Sequence, residues 1–179
     1  MWNKISISGS IGFRYISAAA LLFFIFGVTT SAGALATTRY VASSGVDSGN
    51  CSSAASPCLT IQYAVNQSAA SGDRILVAQG NYTYSGGTTN CSFASTPAVV
   101  CSLDKNLAIL GGYSTANWST ANPAVNLTVI DGQNLYRGVA VIGFNNLTTT
   151  YLNMEGFTLQ NGRAIGPVYA GNNPPDPTE

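Results

Sequence analysis

Histidine is absent from this 179-residue chain, and charged side chains make up only 8% of it. The first absence excludes histidine-dependent catalytic triads and histidine-ligated zinc within the chain. The second, with seven basic residues balanced by seven acidic ones, leaves no basic patch of the kind that tracks a nucleic-acid backbone. Gly, Ser, Thr and Asn are abundant instead, and 46% of residues are hydrophobic. That composition excludes general disorder and suits a β-rich extracellular protein with hydroxyl and amide side chains on its surface. The length suits one domain.

Residues 1–36 have the layout of a secretory signal. Lys4 and Arg14 precede an apolar run from Ala18 to Val28, and Ala34-Leu35-Ala36 is a small-residue cleavage site. Cleavage after Ala36 is expected, giving a secreted or cell-surface protein with five basic against seven acidic residues. The alternative is an uncleaved anchor, because the uncharged run from Tyr15 to Thr38 is long enough to span a bilayer. Four cysteines follow, Cys51 near Cys58 and Cys91 near Cys101, in Ser/Gly/Asn/Pro-rich surroundings. In an exported chain two local disulfides are the natural reading, with metal binding as the alternative.

The stretch from Thr60 to Thr83 organises the rest. Thr60 is placed to cap a helix over which Ile61, Ala64, Val65 and Ala69 recur at helical spacing, while Gln62, Asn66 and Gln67 fall on the face that can stay wet. Ser71-Gly72-Asp73 supplies turn chemistry, and Ile75 and Val77 then alternate in a short strand. Arg39 to Ala42 is a candidate edge strand ahead of the helix.

Later segments repeat this strand. ILVAQGNYT from Ile75 matches LAILGGYST from Leu107, and Val129-Ile130-Asp131-Gly132 resembles Asn153-Met154-Glu155-Gly156, 24 positions on. A loop bounded by Cys91 and Cys101 reads as an insertion. Recurrence at roughly 20 to 30 residues with short strands is the signature of a β-solenoid. Ile75, Val77, Leu107, Ile109, Val129, Val139, Val141 and Phe157 are then expected to form stacked inward columns, with Asn and Gly at the corners and the helix covering the first open edge.

SPCLTIQYAVNQSAASGDRILVAQGNYT, with TVIDG and MEGFTLQNGRA, resembles the N-terminal cap and first coils of right-handed parallel β-helix proteins of the pectin-lyase-like type, especially exported proteins similar to polymorphic outer-membrane proteins. The resemblance implies an all-β right-handed parallel β-helix with a short capping helix. In this reading 1–36 is the signal, 37–70 the cap, 71–165 the coils, and 166–179 a disordered or truncated tail. The family includes polysaccharide lyases, hydrolases and epimerases but also adhesins, so fold alone does not choose an activity.

Asp131 and Glu155 are the pair that repeated steps could stack for general acid/base work or calcium binding, with Asp104 a third carboxylate. The plainer reading makes each a turn residue capping backbone N–H groups. Arg137 and Arg163 are the nearby basic residues, and no cluster around them matches a lyase motif. Tyr82, Tyr84, Tyr113, Trp118, Tyr136 and Tyr151 could stack on sugars or pack over the core. Asn-x-Ser/Thr triplets at Asn66, Asn81, Asn90, Asn117, Asn126 and Asn146 would accept glycans in a eukaryotic secretory path.

The chain ends in Pro/Asn-rich sequence without a capping element, which is expected of the front part of a longer protein. The expectation for function is an exported β-helix scaffold that binds carbohydrate or a cell-surface partner, with no catalytic residue, no cofactor beyond optional calcium, and no nucleic acid or membrane partner after signal cleavage. The rival is the front end of a polysaccharide lyase or hydrolase acting on uronic-acid polymers; a third class is a protein that self-associates through an open last coil.

Overall fold

A computed structural model describes residues 35–69, 71–86, 97–143 and 150–164. These residues are mostly β-sheet, with one short helix and strands that all pair in parallel. β1 (Thr38–Val41) is followed by α1 (Ile61–Gln67), β2 (Ser71–Ala78), β3 (Gly80–Tyr82), β4 (Ala98–Leu103), β5 (Asn106–Tyr113), β6 (Thr128–Asp131), β7 (Arg137–Ile142), β8 (Leu152–Glu155) and β9 (Thr158–Gln160). They form three sheets with orders β1-β2-β5-β8, β3-β6-β9 and β4-β7. From β2 onward, each paired strand takes as its next neighbour the strand three places later.

The repeat is longer than the sequence comparisons imply. Ile75 lies opposite Ile109, Val100 opposite Val139, Leu107 opposite Leu152, and Val129 opposite Thr158. From β2 onward, paired strands therefore lie between 29 and 48 residues apart, the latter from Gly80 to Thr128. The 24-residue match of Asp131 with Glu155 joined two different sheets. The match of Ile75 with Leu107 slipped by two residues, and an even slip leaves the same side chains facing inward.

The core lies between the sheets. Val41, Ile75, Val77, Val100, Leu107, Ile109 and Ile130 are buried, and Val139 and Phe157 pack against them. Two inward assignments are corrected. In β6 the buried positions are Thr128 and Ile130, not Val129, because the alternation starts one residue earlier. Val141 is 46% exposed; it lies opposite Ser102 on β4, and no described strand pairs with the other edge of β7.

Thr60 caps α1 as its sequence requires, accepting a 3.1 Å bond from the Tyr63 N–H. Lys105 Nζ closes the other end, donating to the carbonyls of Val65 (2.8 Å) and Ser68 (2.5 Å), which satisfies carbonyls that a helix end leaves unpaired. α1 packs mainly on β4, with further contact to β1 and β2. Two expectations fail here. Gln62 is buried rather than wet, because its amide bonds the backbone of β4. Ser71, Gly72 and Asp73 belong to β2 rather than to a turn; the left-handed φ of +91° at Gly72 makes a bulge there, and the ladder with β5 shifts register between Ser71 and Arg74.

The disulfide between Cys51 and Cys58 is present. It holds the loop that flanks β1, where Tyr40 donates to Cys51 O and accepts from Cys58 N. Cys101 is also disulfide-bonded, whereas Cys91 and residues 1–34 and 165–179 lie outside the described residues. No described helix is long and apolar enough to cross a membrane.

Candidate functional site

Asp131 closes β6 at a corner. Gly132 follows because a Cβ there would stand 2.4 Å from Tyr136 O and 2.6 Å from Asn161 O. The carboxylate accepts from the Gln133 N–H (2.8 Å), Asn161 Nδ2 (3.1 Å) and Gln160 Nε2 (2.9 Å). The Gln133 backbone bond, then the Gln160 and Asn161 amides with a smaller share from Asn81, hold its carboxyl below the usual range against a slight opposing effect of burial. An ionised acceptor engaged by three donors stabilises a corner, which is the turn reading of this residue.

Glu155 is exposed at the end of β8, opposite Leu110, and accepts from Asn153 Nδ2 at 3.0 Å. Asp131 stands opposite Gln160 in another sheet. Asp104 lies between β4 and β5 with a left-handed φ of +49°, its N–H donating to Ile142 O. The three carboxylates are thus set at three different corners. Among the described residues, no three His, Cys, Asp or Glu side chains converge.

The aromatic residues mostly serve packing. Tyr82 is buried, and its hydroxyl donates to Ala78 O at 2.8 Å; burial pushes its ionisation well above the ordinary tyrosine range, the bond from Ser43 opposing weakly. Tyr84 stacks on Tyr136 at 4.2 Å between centroids, and Trp118 packs against Tyr40 and Tyr113. Of the six, Tyr151 remains openly exposed.

Two surface hollows have recognisable chemistry. One, of about 250 Å³, lies beside the start of α1 and is lined by Ser43, Thr60, Asn81, Thr83 and Ser85 around the edge of Tyr82. Its hydroxyls and amides are neutral donors and acceptors of the kind that match a polyol. The other, of about 460 Å³, opens beside β7 and β9, and its lining includes Arg137, Arg163, Val139 and Leu159.

The most tightly built polar cluster was not singled out from the sequence. Arg39 on β1 reaches Asp73 on β2, Nη2 to Oδ2 at 2.9 Å and Nε to Oδ2 at 3.2 Å, with the Asp73 side chain 1% exposed. Asp73 also accepts from the Thr37 N–H (2.8 Å, Oδ1) and the Ala69 N–H (2.8 Å, Oδ2), and Arg39 reaches Ser68 Oγ and Asn50 O. Burial alone would raise the Asp73 pKa, yet the bonds from Thr37 and Ala69, reinforced by Arg39, leave its carboxyl below the usual range. The signal in the sequence was faint: a lone arginine within a β-prone run and an aspartate after Ser-Gly, which mimics a turn.

Compared with known proteins, the chain matches no family model, no curated protein and no solved structure.

Proposed function

We propose that this chain is a coiled parallel-β scaffold, a right-handed β-helix capped by α1, from an exported surface or secreted protein, and that it binds carbohydrate rather than transforming it. The observation that carries this reading is the pairing of β2 with β5, β3 with β6, β4 with β7, β5 with β8 and β6 with β9, all in parallel. A chain that meets itself at every third strand stacks one circuit on the last, which is how solenoids bury a continuous core. The Cys51–Cys58 disulfide supports export, since such bonds persist in oxidising compartments.

Binding is favoured over chemistry because Asp131 and Glu155 belong to different sheets, each with local amide partners. The neutral hollow beside α1 supplies the chemistry for a sugar. The test is retention of the purified exported protein on immobilised neutral and uronic-acid polysaccharides, with ultraviolet detection of unsaturated products and thermal melts with and without calcium. Retention without product, weakened several-fold by Thr83→Ala, is expected. Product release together with calcium-dependent stabilisation would replace this reading with that of a lyase.

A further inference from the structure

Asp73 has one oxygen turned toward the backbone just after Ala36. Its Oδ2 is held by Arg39 and the Ala69 N–H, while Oδ1 takes the N–H of Thr37 at 2.8 Å. Leu35 and Ala36 lie outside any helix or strand, both are exposed, and Leu35 is 91% exposed. A buried carboxylate thus sits against the nitrogen that would become a new terminus if the chain were cut after Ala36, while the bond to be cut stays within reach of a peptidase.

We propose that Ala36–Thr37 is a maturation junction and that Asp73, oriented by Arg39, is the receptor for the α-amino group released there. Hydrolysis by an endopeptidase that prefers small residues breaks the Ala36 C–N bond. Water supplies the hydroxyl to the Ala36 carbonyl carbon and a proton to the Thr37 nitrogen, which takes up another proton at neutral pH. A neutral amide donor to Asp73 becomes an ammonium donor. Charge-assisted hydrogen bonds are about twice as strong as neutral ones, so removal of the leader tightens the join between β1 and β2 and locks the cap.

Asp73, which accepts from the Thr37 N–H, favours the ammonium; Arg39, paired with Asp73, opposes it, and Arg74 adjoins the site through its N–H, which donates to Thr37 O. Lys105 senses both Arg39 and Asp73, but it is common to every form compared below. Contact with Asp73 raises the folded-state pKa of the amine above its unfolded value. The added stability is therefore complete below the ordinary α-amino pKa of about 7.7 to 8.0 and is lost as pH rises through the folded value.

The experiment compares the exported protein beginning at Thr37 with the same protein acetylated at that nitrogen. The free amine is expected to raise the melting temperature at pH 6 by about 2 to 4 °C, with the gap closing by about pH 10, above the amine's titration. In Asp73→Asn the gap should disappear. If that variant does not fold, the α-amino titration of the unaltered protein by NMR decides, and a pKa above the ordinary range is expected. Equal melting temperatures at pH 6, an ordinary or lowered α-amino pKa, or a native N-terminus other than Thr37 would each overturn the proposal.

Discussion

Gln62 on α1 and Cys101 on β4 exchange two hydrogen bonds: the Cys101 N–H donates to Gln62 Oε1 at 2.6 Å, and Gln62 Nε2 donates to Cys101 O at 3.2 Å. A primary amide presents an N–H donor beside a C=O acceptor, as a neighbouring strand would, and keeps a second N–H. β4 is the first strand of its sheet, so this one side chain pairs part of an edge that would otherwise present bare backbone groups. Gln62 Nε2 also reaches Asn66 Oδ1, which fixes the amide's orientation.

Replacing Gln62 by Leu keeps the volume but leaves the Cys101 N–H and C=O buried without this partner. A loss of about 2 to 4 kcal/mol is expected from two unsatisfied groups. Urea unfolding of both proteins measures it, and Gln67→Leu, at an exposed position of the same helix, should change stability by less than about 0.5 kcal/mol.

Acid should weaken the cap through Asp73. Its pKa is depressed in the folded state, so the stability it contributes is present above the ordinary value of 3.8 and is lost as pH falls through the lower folded value. Thermal melts across that window should show a steep acid slope in the unaltered protein and a shallower one in Asp73→Asn. Asp131 is depressed as well, so some slope survives in that variant and falls further in Asp73→Asn/Asp131→Asn.

Arg39→Met removes the partner of a carboxylate that is 1% exposed. Breaking a buried pair from one side costs about 3 to 5 kcal/mol. Chemical denaturation should register a loss of that size, whereas Arg163→Met, at an exposed position, should stay within about 0.5 kcal/mol.

Reduction of the Cys51–Cys58 bond frees a loop spanning seven residues and should cost about 2 to 3 kcal/mol by the loop-closure estimate. Cys51→Ala/Cys58→Ala isolates this bond from the one at Cys101, and its melting temperature relative to the parent protein is the readout. Ile109→Ala provides the core comparison. That side chain is fully buried, and truncation should cost about 2 to 5 kcal/mol.

The helix, its Thr60 cap, the edge strand β1 and most of the buried strand positions were legible because each rests on local periodicity. What escaped depended on partners distant in sequence. Gln62 looks like a surface residue until β4, some forty positions on, is laid against it. Ser71-Gly72-Asp73 carries turn chemistry that a strand absorbed as a bulge, because Arg39 and Thr37 gave Asp73 a use within the sheet. The spacing of paired strands was misjudged since the connections between strands differ in size. Asp131 and Glu155 looked equivalent by local pattern, yet pattern cannot tell which of three sheets a strand will join.

The parallel ladders also govern how this chain reaches its structure. Thr38 must find Arg74, Gly80 must find Thr128, and Leu107 must find Leu152, so among the described residues no strand is paired by a hairpin with its immediate successor. Every pairing closes a long loop before any contact rewards it, and such topologies fold slowly. β1, α1 and β2 make the first closure along the chain and meet around Asp73. During synthesis that segment emerges ahead of the later strands, and it is the template on which each of them can settle as it arrives.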